Sequence, residues 1–191
     1  MKEIILVDAN DNIIGYDSKM AAHKNAALHR AFSVFIYSTE QEKMLLQKRA
    51  TNKYHSGGLW SNACCSHPRK GEIMLDALNS RIMDELGVPV AAEGICTVGQ
   101  YAPNMYVSSG KFTYMTKYDT IYEHEIDHVF VLMVDKRFPT DVPVSQDEVS
   151  DYKWVSIKEL RRWYNEFPNQ FTSWFLPAFE LAIKTIELLR G

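Results

Sequence analysis

The sequence predicts an α/β (α+β) fold, a mixed central β-sheet flanked by helices, with an N-terminal extension and C-terminal helices. Three observations predict it. Short β-rich segments lie before and after one central amphipathic helix, turn-forming clusters separate them, and a second amphipathic stretch closes the chain. The alternation of elements leaves open which strands run parallel. The 191 residues suit one domain, read as 1–191 with a core over about 30–156 and a helical part over about 157–191.

Glu3–Val7 and Ile13–Gly15 read as short strands around the turn formers Asp8–Asn12. Ser18–Arg30 carries helix-forming alanines and two histidines, and is helix or ordered loop. Ala31–Tyr37 and Lys43–Lys48 flank a polar turn and read as a hairpin. Ala50–Asn62, with Gly57-Gly58, reads as a loop. Glu72–Leu86 is the clearest helix, since Ile73, Ala77, Leu78, Ile82 and Leu86 recur at helical spacing and Gly87 is placed to stop it. Ile95–Tyr101, Lys111–Tyr118, Ile126–Val134 and Tyr152–Val155 read as strands. Ser156 with Glu159 forms a capping box that opens the next helix, and Trp174–Leu189 is the last one.

The net charge is −3, which lacks the basic excess of a nucleic-acid binder. Apolar runs such as Val129–Val134 are too short to span a bilayer. Met1-Lys2-Glu3-Ile4 leads straight into a strand with no signal peptide. Three cysteines, two of them adjacent, make no disulfide framework. A reducing cytoplasm is expected.

Four groups of residues are able to carry chemistry. Cys65 stands two residues before His67 and just ahead of the central helix, where positive surroundings and a helix N-terminus lower a thiol's pKa; buried packing cysteines fit the same stretch, and Cys64 is assigned to packing. Glu123 and Glu125 share one strand face, and like charges so placed repel unless a cation or proton intervenes; a solvated strand end is the plainer alternative. His23, His29 and His67 have no zinc-finger spacing, yet with two carboxylates they would make a mixed nitrogen–oxygen site for a transition metal. Lys19, Arg49, Lys53 and Arg81 are scattered; gathered together they would grip a diphosphate. Arg81 and Glu85 share a helix face in the weaker order for an ion pair.

These residues carry a family likeness. Asn62-Ala63-Cys64-Cys65-Ser66-His67-Pro68 is the most specific stretch. Ala21-Ala22-His23, Leu28–Ser33, Gln47–Ala50, Glu123-His124-Glu125 and Phe171–Trp174 follow in order. On them the chain resembles the type 1 isopentenyl-diphosphate isomerases, a branch of the Nudix fold, from about Lys19 to Trp174. The Nudix helix pattern G-x5-E-x7-R-E-U-x-E-E-x-G-U is degenerate: Ser66 replaces the glycine and Ser80-Arg81 the Arg-Glu pair. That loss suits an isomerase better than a hydrolase. The first two histidines stand one residue closer than in bacterial relatives.

The resemblance implies that His23, His29, His67, Glu123 and Glu125 bind one divalent transition metal, Mn2+ or Zn2+. It implies Cys65 as catalytic thiol, Glu125 as acid/base partner assisted by Tyr114, and Trp174 facing the hydrocarbon end. Glu85 would hold Mg2+ carried by the substrate diphosphate, which Lys19, Arg49, Lys53 and Arg81 would bind. The reaction implied moves a double bond by adding one proton and removing another. Two proton-transfer groups and a desolvated aromatic face for the tertiary carbocation meet that need. Which of Cys65 and Glu125 gives the proton stays open. The implied partner is a small diphosphate rather than nucleic acid or membrane, and the implied state is a monomer or weak dimer. A Nudix hydrolase of a nucleoside diphosphate derivative and a non-catalytic diphosphate-binding module are the rival readings.

Overall fold

A computed structural model describes residues 3–191; the reading of Met1 and Lys2 lies outside them. The framework is a mixed sheet in the order β10-β4-β3-β9-β8-β7. Its strands are β3 (His29–Ser38), β4 (Lys43–Arg49), β7 (Gly94–Cys96), β8 (Met105–Tyr118), β9 (Ile121–Val134) and β10 (Val149–Ser156). The hairpin β1 (Glu3–Val7) with β2 (Ile13–Ser18) joins it through β3, and the short strands β5 (Trp60–Asn62) and β6 (Cys64–Ser66) pair with β4 and β3. The two central strands, β3 and β9, run parallel, whereas β8 and β9 are antiparallel.

Strand alternation sorts the core into two layers. Phe32, Val34 and Ile36 of β3, with Phe130 and Leu132 of β9, pack on Leu78, Ile82 and Leu86 of helix α2 (Met74–Leu86). Phe35 and Tyr37, with Val129 and Val131, pack instead on Phe175, Phe179 and Ile183 of helix α4 (Phe175–Arg190). Buried on both sides, these strands read as nearly continuous apolar runs. His29 and Ser33 of β3, and Glu123, Glu125 and Asp127 of β9, have the parity of the α4 layer but lie beyond its apolar part. Polar side chains thus collect at one end of that face.

Several boundaries differ from the sequence reading. The end of the expected loop 50–62 is strand β5, and β6 was not anticipated, because a three-residue strand is too short to show a period. Ile95–Tyr101 is strand only at its start and then turns through a 3-10 segment, Val98–Gln100. β8 and β9 start well before the expected Lys111 and Ile126 and make a long hairpin whose outer positions are mostly polar, with Met115 the exposed apolar one. The ambiguous 18–30 segment is a short helix α1 (Lys19–Lys24) followed by the start of β3; Ser18 Oγ accepts from the Ala21 amide at 3.2 Å to cap it. Gly87 caps α2 in the left-handed conformation, as expected, and a Cβ there would sit 2.5 Å from the Pro143 carbonyl oxygen. The capping box opens α3 (Ile157–Glu166). No helix among the described residues is long and apolar enough to cross a membrane.

Candidate active site

Register builds the site. Tyr114, Glu125 and His29 are direct neighbours across β8, β9 and β3, so all three project from one face. Cys65 of β6 sits opposite Ser33 of β3. Its neighbour Cys64 points the other way into the α2 layer and is fully buried, as assigned. Helix α1 brings in Lys19 and His23, one turn apart, and the segment after β6 brings in His67. Trp174 caps α4 beside them, 3% exposed, its Nε1–H donating to Asn62 Oδ1 at 3.3 Å.

One small cavity is lined by Cys65, His67, Tyr114, Glu123, Glu125 and Trp174. Lys19 and Arg49 also reach it, as do His55 and Asp127. The ligand atoms of His23, His29, His67 and Glu125 lie within 4.8 Å of one another, and all four residues are buried. The shorter spacing of the first two histidines therefore does not keep them apart.

The hydrogen bonds argue that these atoms face a cation. His29 Nδ1 lies 2.8 Å from the Ala27 carbonyl oxygen, which can only accept, so the proton is on Nδ1. His29 Nε2 then presents a lone pair, without a hydrogen-bond partner, to Glu125 Oε1 at 3.3 Å. A lone pair facing a carboxylate oxygen in a buried place is unfavourable unless a positive charge sits between them. His23 Nε2 is likewise buried without a partner. A nitrogen-rich set with one carboxylate fits a divalent transition metal.

Electrostatics points the same way. Burial, reinforced by the neighbouring His67 and His29, lowers the His23 pKa to about 2. Burial, with Lys19, lowers that of His67 to about 4. Both imidazoles are neutral, which is the ligating form. For Glu125 burial opposes ionisation, yet positive charge at the His67 and His29 rings, or a cation held among them, outweighs it and keeps the carboxyl well below its usual range. His67 Nε2 lies 2.8 Å from Glu125 Oε1, and the Tyr114 hydroxyl donates to Oε2 at 2.7 Å. Glu123 is raised by burial and by the charge of Glu125. It stands outside the four-residue group; its Oε1 meets His55 Nε2 at 3.1 Å. Burial pushes the Cys65 thiol up to about 12, although Arg49, whose Nη1 lies 3.7 Å from Sγ, pulls the other way. Of the two readings the sequence left open for this thiol, activation by positive surroundings and burial, burial prevails: desolvation exceeds the pull of one guanidinium, and the helix begins only at Met74.

The basic residues divide. Lys19 and Arg49 reach the cavity, and Arg49 stacks 5.3 Å from the Trp174 ring. Lys53 instead pairs with Glu148. Arg81 pairs with Glu72 at 3.2 Å and Asp84 at 3.6 Å rather than with Glu85. Glu85 accepts from Gln47 Nε2 at 3.1 Å, and burial raises its pKa to about 7.

Sequence reasoning missed three residues here. Asp127 continues the alternation of Glu123 and Glu125, so the period-two rule was enough to find it. It is buried, accepts from Ser33 Oγ at 2.8 Å and leaves Oδ1 without a partner. Tyr54 and His55 sit in an irregular loop and gave no periodic signal.

A NUDIX domain model matches residues 27–175. Isopentenyl-diphosphate Delta-isomerase 2 of Aromatoleum aromaticum is 39% identical over 97% of this chain and 89% of its own length. The isopentenyl-diphosphate Delta-isomerase of Pectobacterium atrosepticum is 40% identical over 94% of this chain and 90% of its own. The chain belongs to the isopentenyl-diphosphate Delta-isomerase family of NUDIX proteins. Among solved structures, DR0079 of Deinococcus radiodurans superposes with a TM-score of 0.65 over 94% of this chain and 96% of that one, at 13% identity. A C. elegans Ap4A hydrolase complex gives 0.55 over 85% and 98%, at 14% identity. At such identities these two speak for the fold alone, and the fold is the Nudix-like one expected.

Proposed function

We propose that this chain is an isomerase that interconverts isopentenyl diphosphate and dimethylallyl diphosphate by adding one proton and removing another through a tertiary carbocation. The family membership supports the reaction. The observation that carries it to this chain is the Cys65 thiol and the Glu125 carboxylate sharing one small cavity with the Trp174 indole ring. Hydrolysis of a nucleoside diphosphate derivative needs no such thiol, and neither that reading nor a non-catalytic binding module is favoured.

Cys65 and Glu125 are the two proton-transfer groups. The reaction is reversible, so each must give a proton in one direction and take it in the other. Tyr114, bonded to Glu125 Oε2, steadies the carboxylate and stands ready to pass a proton to it. Trp174 and Tyr114, with ring centroids 6.3 Å apart, wall the hydrocarbon end. A desolvated aromatic face stabilises a cation by roughly 2 kcal/mol or more while excluding water from the reacting carbons. Lys19 and Arg49 hold the diphosphate at once, and Lys53 and Arg81 join after leaving their carboxylate partners. His23, His29, His67, Glu123 and Glu125 would hold a Mn2+ or Zn2+ ion, which when bound adds positive charge that fixes Glu125 as an anion. Glu85 would meet Mg2+ brought by the substrate, which when bound offsets phosphate charge.

We further read residues 1–191 as one domain acting in the cytoplasm, as a monomer or weak dimer. The three free cysteines support a reducing compartment. Incubating purified protein with isopentenyl diphosphate, Mg2+ and Mn2+ or Zn2+ tests the activity. NMR should show dimethylallyl diphosphate, with deuterium entering the product in heavy water. No product and no exchange would sink the reading.

A further inference from the structure

Loop 50–59 reaches back over the candidate metal site and touches His23 of the four-residue group and Glu123 beside it. The loop is held shut from within. The Gly58 amide donates to the Arg49 carbonyl at 3.0 Å and Arg49 Nη2 donates to the His55 carbonyl at 3.4 Å. Gly57 approaches so closely that a Cβ there would stand 2.7 Å from the Thr51 carbonyl oxygen. In its middle, the Tyr54 hydroxyl lies 3.1 Å from His23 Nδ1, and His55 Nε2 lies 3.1 Å from Glu123 Oε1.

The two contacts differ in setting. His55 is 7% exposed, with its ring stacked 5.0 Å from Tyr118 and set edge-on 6.2 Å from Trp174. Its Nδ1 lies 3.3 Å from Ser56 Oγ. With Nδ1 accepting from that hydroxyl, the ring proton sits on Nε2 and is donated to Glu123. Tyr54 is 46% exposed, and only its hydroxyl end reaches His23. If His23 Nδ1–H donates to that oxygen, Nε2 carries the lone pair, the same arrangement that the Ala27 carbonyl imposes on His29.

We propose that Tyr54 and His55 are positioning residues for the metal centre: His55 orients Glu123, and Tyr54 sets the tautomer and ring angle of His23. This rests on the metal reading given above. Partners of metal ligands fix ligand orientation and basicity, and their loss costs about 10–100-fold in metal affinity. Buried His55 belongs at the upper end of that range. Tyr54 belongs at the lower end, because it offers one neutral hydroxyl contact at 3.1 Å.

The test is a competition titration of Mn2+ and Zn2+ against a chromophoric chelator, on wild type, His55→Phe, His55→Gln and Tyr54→Phe. Thermal unfolding first establishes that each variant folds. His55→Phe keeps a stacked ring but has no donor, and should weaken both ions by about 10–100-fold. His55→Gln restores an N–H donor and should recover most of the loss, and kcat should follow affinity while KM stays near that of wild type. Tyr54→Phe should weaken binding by about tenfold or less. Should His55→Phe not fold, Tyr54→Phe carries the test, since it removes a single oxygen. Equal affinity in the folded variants and wild type overturns the inference, as does a Gln variant no better than Phe. A wild type that takes up neither ion overturns the metal reading itself, and this inference with it.

Discussion

The histidine corner and the Glu85 corner are both buried, and burial is the first cause of the pKa shifts in each, yet it prepares them oppositely. Desolvation favours whichever form is neutral. For His23 and His67 the neutral form is the one that would ligate a metal, so under that reading their lone pairs stand ready at neutral pH. For Glu85 the neutral form is the acid, with a pKa of about 7, so this carboxyl must lose a proton before it can meet a cation. One corner is set by folding, and the other is poised to respond to charge brought by a ligand.

The largest expected effect separates chemistry from metal holding within the first corner. Cys65→Ala should lower kcat by roughly 10²–10⁴-fold and leave Mn2+ or Zn2+ affinity near wild type, because Sγ is not in the ligand group. Glu125→Gln should lose a similar factor in kcat and lose metal affinity too. Turnover and metal titration on the same preparations check both. Unchanged turnover in Cys65→Ala would reject the proposed mechanism.

That division explains how much was legible in advance. The histidine corner was readable because β-strand periodicity puts Glu123 and Glu125 on one face and because the Cys65–His67 stretch is distinctive. Asp127 obeys the same period and was within reach. What periodicity cannot supply is convergence: that α1 and the segment after β6 bring His23 and His67 to the His29–Glu125 row depends on strand pairings far apart in sequence. The thiol's environment stayed open for a related reason, since charge is visible in sequence and burial is not. The fold was legible in its long amphipathic elements and not in β5 and β6, whose three residues each show no alternation. Tyr54 and His55 act from irregular backbone, where residue type is the only signal.

The second effect sharpens the contrast through pH. The unfolded chain releases the Glu85 proton near 4.5, whereas the folded chain holds it to about 7. Between those values the native state binds more protons, so this group's contribution falls as pH rises, by ~1.4 kcal/mol per pH unit at most. Glu85→Gln cannot ionise. Its stability relative to wild type should therefore climb from pH 4.5 to about 7 and then level off, by urea unfolding in the presence of chelator. For His67 the sign is opposite: the unfolded chain takes a proton below 6.5 and the folded one refuses it until about 4. Stability relative to a His67→Asn variant should therefore be lost as pH falls through that window. Parallel rather than opposed difference curves would break the comparison.

The smallest effect concerns the pair that holds Lys53 away from the cavity. Glu148 binds Lys53, and its charge also raises the pKa of Glu85. A diphosphate must draw Lys53 off this partner, whose side chain is 40% exposed. Such a pair contributes only about 0.2–1 kcal/mol, so Glu148→Ala should lower KM by no more than about fivefold. The gain should vanish when Lys53→Ala is added, because the freed ammonium is then absent. Steady-state kinetics on the two single variants and the double variant decides. A raised KM in Glu148→Ala, or a gain that survives loss of Lys53, would mean that Lys53 is a structural partner of Glu148, leaving Lys19, Arg49 and Arg81 to hold the diphosphate.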